Sequence, residues 1–172
     1  MSDFYRRKLP HWHPEGQMFF ITFRLANSLP VHIIQELEAE REREQQAIRT
    51  KFSGTQQKDA LYKLEKKYFG RFDAWLDRCM EESPRWLGDE NIARIVADEI
   101  HALDSERYRL IAYCLMSNHG HLVVDTAGHK IEPNHTGVTA PYPLADTLKR
   151  FKGRTARFCN LALGRSGSFW HH

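Results

Sequence analysis

Residues 107–125 read "RYRLIAYCLMSNHGHLVVD", an apolar run, a four-residue break and a second apolar run. The first run, 107–117, is almost continuously apolar, as expected of a central strand buried on both faces. "HLVVD" is its expected hairpin partner, with "SNHG" as the connection. Two histidines, His119 and His121, stand one residue apart where the second strand opens. Alternate residues of a strand face the same way, roughly 6.5 Å apart along the chain. Two imidazole nitrogens so placed can converge on one metal ion, each at about 2.1 Å. Alone, this spacing more often marks polar residues on a solvated strand face, and a catalytic metal needs a further ligand and an open position.

Outward from this hairpin the chain alternates element types. "QMFFITFRL" (17–25) is rich in aromatic and β-branched residues and reads as a strand, ended by "ANSLP". Residues 31–50 read helical, with acids and bases interleaved in "ELEAEREREQQ", a solvated face laced by i,i+4 pairs. After "SGTQQ", residues 56–80 resume with Leu61, Leu64, Tyr68, Phe72 and Trp75 on one helical stripe. Asp89 is placed to cap a helix carrying Ile92, Ile95, Val96, Ile100 and Leu103 on one face. Residues 126–142 show no periodicity and read as a long loop. The last helix, 143–163, opens on Pro143 and closes before Gly164, with the stripe Leu144, Leu148, Phe151, Thr155, Phe158 and Ala162. A short strand is expected at 168–171. This order predicts an α+β fold, an antiparallel sheet backed by helices.

The bulk composition narrows the function classes. A chain of 172 residues is long enough to bury a core, and 41% hydrophobic with 27% charged residues excludes wholesale disorder. The start, "MSDFYRRKLP", lacks the apolar region of a secretory signal, and "LIAYCLM" is too short to cross a bilayer. Cys79, Cys114 and Cys159 share no metal or disulfide spacing, so a cytoplasmic protein with no membrane partner is the expectation. A net charge of +3 permits a nucleic-acid partner without demanding one.

A second histidine pair, His11 and His13, sits between Pro10 and Pro14 and reads as a surface turn. His129 and His135 fall in the loop, where solvation is the expectation. The last helix carries Lys149, Arg150, Lys152, Arg154 and Arg157 off its apolar stripe, with no acid between them. Charged helix faces are usually just solvated, but most mix signs; this one could neutralise several phosphates. Arg6 and Arg7, with Lys8, make a smaller patch near Tyr5 and Trp12, which could stack on bases.

Four segments, "YRRKLPHWHPEGQMFFITFRL", "RYRLIAYCLMSNHGHLVV", "LADTLKRFKGRTARFCN" and "GRSGSFWHH", occur in the order seen in the single-tyrosine HUH transposases. Within these the chain resembles the bacterial REP-associated tyrosine transposases. The resemblance covers most of the chain apart from 27–81 and 126–142. It implies one domain of ferredoxin-like fold, with 27–81 a helical insertion after the first strand, acting on single-stranded DNA or a DNA hairpin as monomer or homodimer. It implies that His119 and His121 hold Mg²⁺ or Mn²⁺ against the scissile phosphate while a tyrosine attacks it. The basic residues Arg6, Arg7, Lys149, Arg150, Lys152, Arg154 and Arg157 would then grip the strand. The chain departs from the pattern twice. The residue between the histidines is usually bulky and apolar and here is Gly120, so a packing gap and a looser strand are expected. The attacking tyrosine lies on a helix beyond the "FW" strand, hence beyond His172. Tyr108, Tyr113, Tyr62 and Tyr68 read as core or packing residues, and Tyr142 as a helix-start residue. A chain that binds DNA without cutting it is therefore the alternative. An unrelated ferredoxin-like RNA binder would want exposed aromatics alternating along 107–116, and they are missing there.

Overall fold

Met18–Arg24 alternates side chains across a strand: Phe19, Ile21 and Phe23 turn to an apolar interior, and Met18 and Phe20 turn to water. This strand begins the sheet in the computed structural model, which describes residues 4–6, 10–12, 17–127 and 143–171. In chain order the elements are β1 (Phe4–Arg6), β2 (Pro10–Trp12), β3 (Met18–Arg24), α1 (Val31–Lys51), α2 (Gly54–Arg78), a 3₁₀ turn (Trp86–Gly88), α3 (Glu90–Leu103), β4 (Arg109–Leu115), β5 (His119–Asp125) and α4 (Pro143–Ala162). They divide into two compact units, 27–85 and the remainder of the chain. The helical insertion after the first sheet strand is thus present and runs to Arg85, four residues past the expected boundary.

The larger unit is α+β. Its antiparallel sheet has the order β3-β5-β4. Beyond β3, Leu25 bridges Trp170, flanked by bonds from Ala26 N–H to the Phe169 carbonyl (2.8 Å) and from His171 N–H to the Arg24 carbonyl (2.9 Å). That places the chain's last segment where a ferredoxin-like sheet has its fourth strand, although the expected strand at 168–171 amounts to one bridge. A second correction concerns 107–117. The most apolar run is not the central strand; β4 lies at the sheet edge and β5 lies between β3 and β4. A register shift between Leu110 and Ala112 breaks its alternation, and Ile111 and Tyr113 remain exposed.

One face of the sheet carries the core. Phe23, Leu122 and Val124 meet Ile92, Val96 and Ile100 of α3 and Leu144, Phe151 and Cys159 of α4. Asp89 caps α3 as expected, its carboxylate accepting from the N–H groups of Asn91 (2.8 Å) and Ile92 (3.2 Å). On α4 the buried stripe is Leu144, Thr147, Phe151, Thr155 and Cys159, and Phe158 turns outward. The "FW" pair closes the core. Trp170 packs edge-on against Phe23 (5.2 Å between centroids), and its indole N–H donates to Thr155 Oγ1 at 2.8 Å. At Pro10–Trp12, where a turn was expected, a strand forms: β2 pairs with β1, Tyr5 opposite His11.

The unit 27–85 is a helical hairpin. Its charged residues pair between α1 and α2 rather than along one helix: Arg41 with Glu65, Lys67 with Glu44 (2.7 Å) and Arg71 with Glu40. Leu29, Leu76 and Cys79 form its small core with Phe72 and Trp75. Among the described residues, no helix is long and apolar enough to cross a membrane.

Candidate metal centre

The chain turns at Ser117-Asn118, and β5 starts at His119 with its two neighbours already in register. Opposite His119 on β3 stands Arg24, and opposite His121 stand Thr22 on β3 and Cys114 on β4. Because β5 is central, both histidines are held from two sides. Their ring centroids lie 4.9 Å apart, nearly perpendicular, and a ring nitrogen of each lies within 4.8 Å of the other. The pair can hold a metal ion.

Hydrogen bonds decide which nitrogens face one. His119 is 1% exposed, and its Nδ1 lies 2.7 Å from Asn118 Oδ1, an acceptor. With Nδ1–H donating there, the neutral ring carries its lone pair on Nε2. His121 Nδ1 lies 3.0 Å from Thr22 Oγ1. Both rings are therefore oriented through Nδ1 by a neighbouring oxygen, the support that metal-bound histidines ordinarily have. Imidazole nitrogens suit Zn²⁺, Fe²⁺, Ni²⁺ and Cu²⁺; Mn²⁺ and Mg²⁺ prefer oxygens and would draw them from water or phosphate. Asn118 could have been suspected from its place before His119. Thr22, nearly a hundred residues away, became visible only through strand register.

Gly120 leaves no gap. A Cβ there would meet Phe23 Cζ at 2.6 Å, Phe23 Cε2 at 2.8 Å and Leu115 Cδ2 at 3.0 Å. The Phe23 ring, directly across from it on β3, fills the space a bulky middle residue would take. The expectation of a loosened strand is corrected: the apolar volume comes from the neighbouring strand.

The basic residues of α4 do not share one free face. Arg150 pairs with Glu106 (3.2 Å) and Arg154 with Glu99 (3.0 Å), so acids distant in sequence answer two of the five charges. Lys149 and Arg157 are exposed. Lys152 lies on the other flank of the helix, donating to the His171 carbonyl at 2.9 Å. Burial, and then the Arg24 guanidinium, depress its pKa. Arg24 itself, opposite His119 on β3, is buried. The side chains of Arg6 and His11 and the whole of Arg7, His13, His129, His135 and Tyr142 lie outside the described residues.

Tyr108 and Tyr113, the tyrosines of this unit whose side chains are described, do not serve the pair. Tyr108 is 1% exposed and donates to the Ile100 carbonyl at 2.8 Å. Tyr113, partly exposed, sits opposite Leu122 with its hydroxyl 3.2 Å from His101 Nε2. Tyr62 and Tyr68 belong to the helical hairpin, the latter beneath Arg41. Comparison with family models, with curated proteins and with solved structures finds no match to this chain.

Proposed function

We propose that the chain is an HUH-type transposase domain that binds single-stranded or hairpin DNA and presents a phosphodiester to a divalent cation on His119 and His121. The observation that carries this reading is the paired imidazoles, each oriented through Nδ1 by a separate side chain. A bound Mn²⁺ or Mg²⁺ would offset charge developing on the phosphodiester and orient its oxygens. The chain's own residues do the rest. Thr22 and Asn118 keep the rings turned, and Arg24 stands opposite His119 on the neighbouring strand. Lys149 and Arg157, exposed on α4, add long-range attraction for a polyanion.

Binding without scission is the narrower reading, supported among the described residues by Tyr108 and Tyr113, whose hydroxyls are engaged elsewhere. Anisotropy with a labelled single-stranded or hairpin oligonucleotide should show an affinity that falls steeply with salt, the oligonucleotide staying intact. Absence of salt-sensitive binding would sink both readings. By calorimetry, replacing His119 and His121 together by alanine should abolish Mn²⁺ binding, and replacing His11 and His13 should leave it. The reverse pattern would show that the other pair is the metal site.

A further inference from the structure

We infer that Phe20 is a stacking platform for one unpaired base of the bound strand, immediately beside the metal pair; the inference rests on the single-strand reading above. Phe20 is 56% exposed on the sheet face opposite the core, although Phe19 and Ile21 on either side pack inward. Its ring centroid lies 5.3 Å from that of His121, the planes inclined by 34°. A phenyl ring has no donor or acceptor, so it offers a ligand only a π-face, and every nucleobase has one. A nucleotide whose phosphate sits at the histidines has its base within reach of the next step of the same strand.

Exposure along β3 gives the strand a direction. Along β3 the side chains on this face are Met18, Phe20, Thr22 and Arg24, exposed at Met18 and Phe20, half-buried at Thr22, which orients His121, and buried at Arg24. With the phosphate at the histidines, the base lies towards the accessible end of the strand, at Phe20 and the 69% exposed Met18. A second protein copy fits this face less well. Among the described residues Phe20 is bordered by the half-buried Val123 opposite it, by exposed Ala112 beyond and by Met18, a patch of a few side chains, whereas a stable interface needs about 800 Å² from each partner.

The test is a set of oligonucleotides, each with one position made abasic, measured by anisotropy. With the native chain, one position should stand out, its abasic form binding about 5- to 100-fold more weakly. Phe20→Ala should weaken binding to the intact oligonucleotide by a similar factor and show no further loss at that position. Phe20→Trp should restore the affinity, and Phe20→Ala should bind Mn²⁺ as the native chain does. Native-like affinity for Phe20→Ala, or a loss that adds in full to every abasic loss, would overturn the inference. So would a native dimer that Phe20→Ala turns to monomer with DNA affinity unchanged. A native chain that binds no single strand fails earlier, and that result refutes the functional reading itself.

Discussion

Gly120→Val, which puts an apolar side chain between the two histidines, should destabilise this chain. In an open strand the change would help, since glycine costs roughly 0.5–1 kcal/mol relative to alanine and valine favours strands. Here the first added atom lands 2.6 Å from Phe23 Cζ and 2.8 Å from Cε2, and two methyl groups follow it. Phe23 cannot withdraw easily. It is 1% exposed, with Phe151 and Trp170 each 5.2 Å away in edge contact. Overpacking of this kind costs about 1–3 kcal/mol, and valine belongs at the upper end. For a chain of this length, about 3 kcal/mol lowers the melting temperature by roughly 6–12 °C, readable by circular dichroism or tryptophan fluorescence. Phe23→Leu removes both clashing atoms. The double variant should therefore lose less than the sum of the single losses, by about 1–2 kcal/mol. A Gly120→Val protein as stable as the native one, or strict additivity with Phe23→Leu, would refute the claim that Phe23 fills this space.

Thr22→Val and Asn118→Ala leave both metal-binding nitrogens in place but release the rings, so each should weaken Mn²⁺ binding by about 10- to 100-fold, measured by calorimetry; unchanged affinity would show that the strand alone orients them. The alkaline limb of stability should report Cys159, whose thiol burial pushes from 9.0 up to about 12. Its protonated form is held in the fold, so its contribution is complete below the unfolded value and lost as pH rises from about 9 towards 12. Tyr108, raised by burial and by Asp104 and Glu99, acts in the same sense from about pH 10, and Lys152, lowered by burial and Arg24, acts in the opposite one. Denaturant titrations of Cys159→Ala between pH 9 and 10 should show a slope shallower by up to about 1.4 kcal/mol per pH unit; an unchanged slope would mean that the native thiol ionises in place.

Local signals in this sequence are strong where the physics is local. The 3.6-residue stripe of α3, its aspartate cap and the proline that opens α4 depend on neighbours a few residues apart, and each stands where periodicity puts it. His119 and His121 share a face for the same reason, since the two-residue period of a strand needs no partner. What only the tertiary structure decided were the pairings of distant residues. Apolarity singled out 107–117 as the middle of the sheet, but a run of apolar residues does not record which strand lies on either side of it. A shift in register near Ile111 and the central position of β5 left that run at the edge. Thr22 reaches His121, and Phe23 reaches Gly120, through a ladder that joins residues about a hundred positions apart. The unbroken positive charge of α4 was answered by Glu99 and Glu106 because α3 and the turn after it pack alongside. Periodicity is encoded in neighbours and was legible; register and charge pairing come from burial shared by the whole fold, and no short stretch contains them.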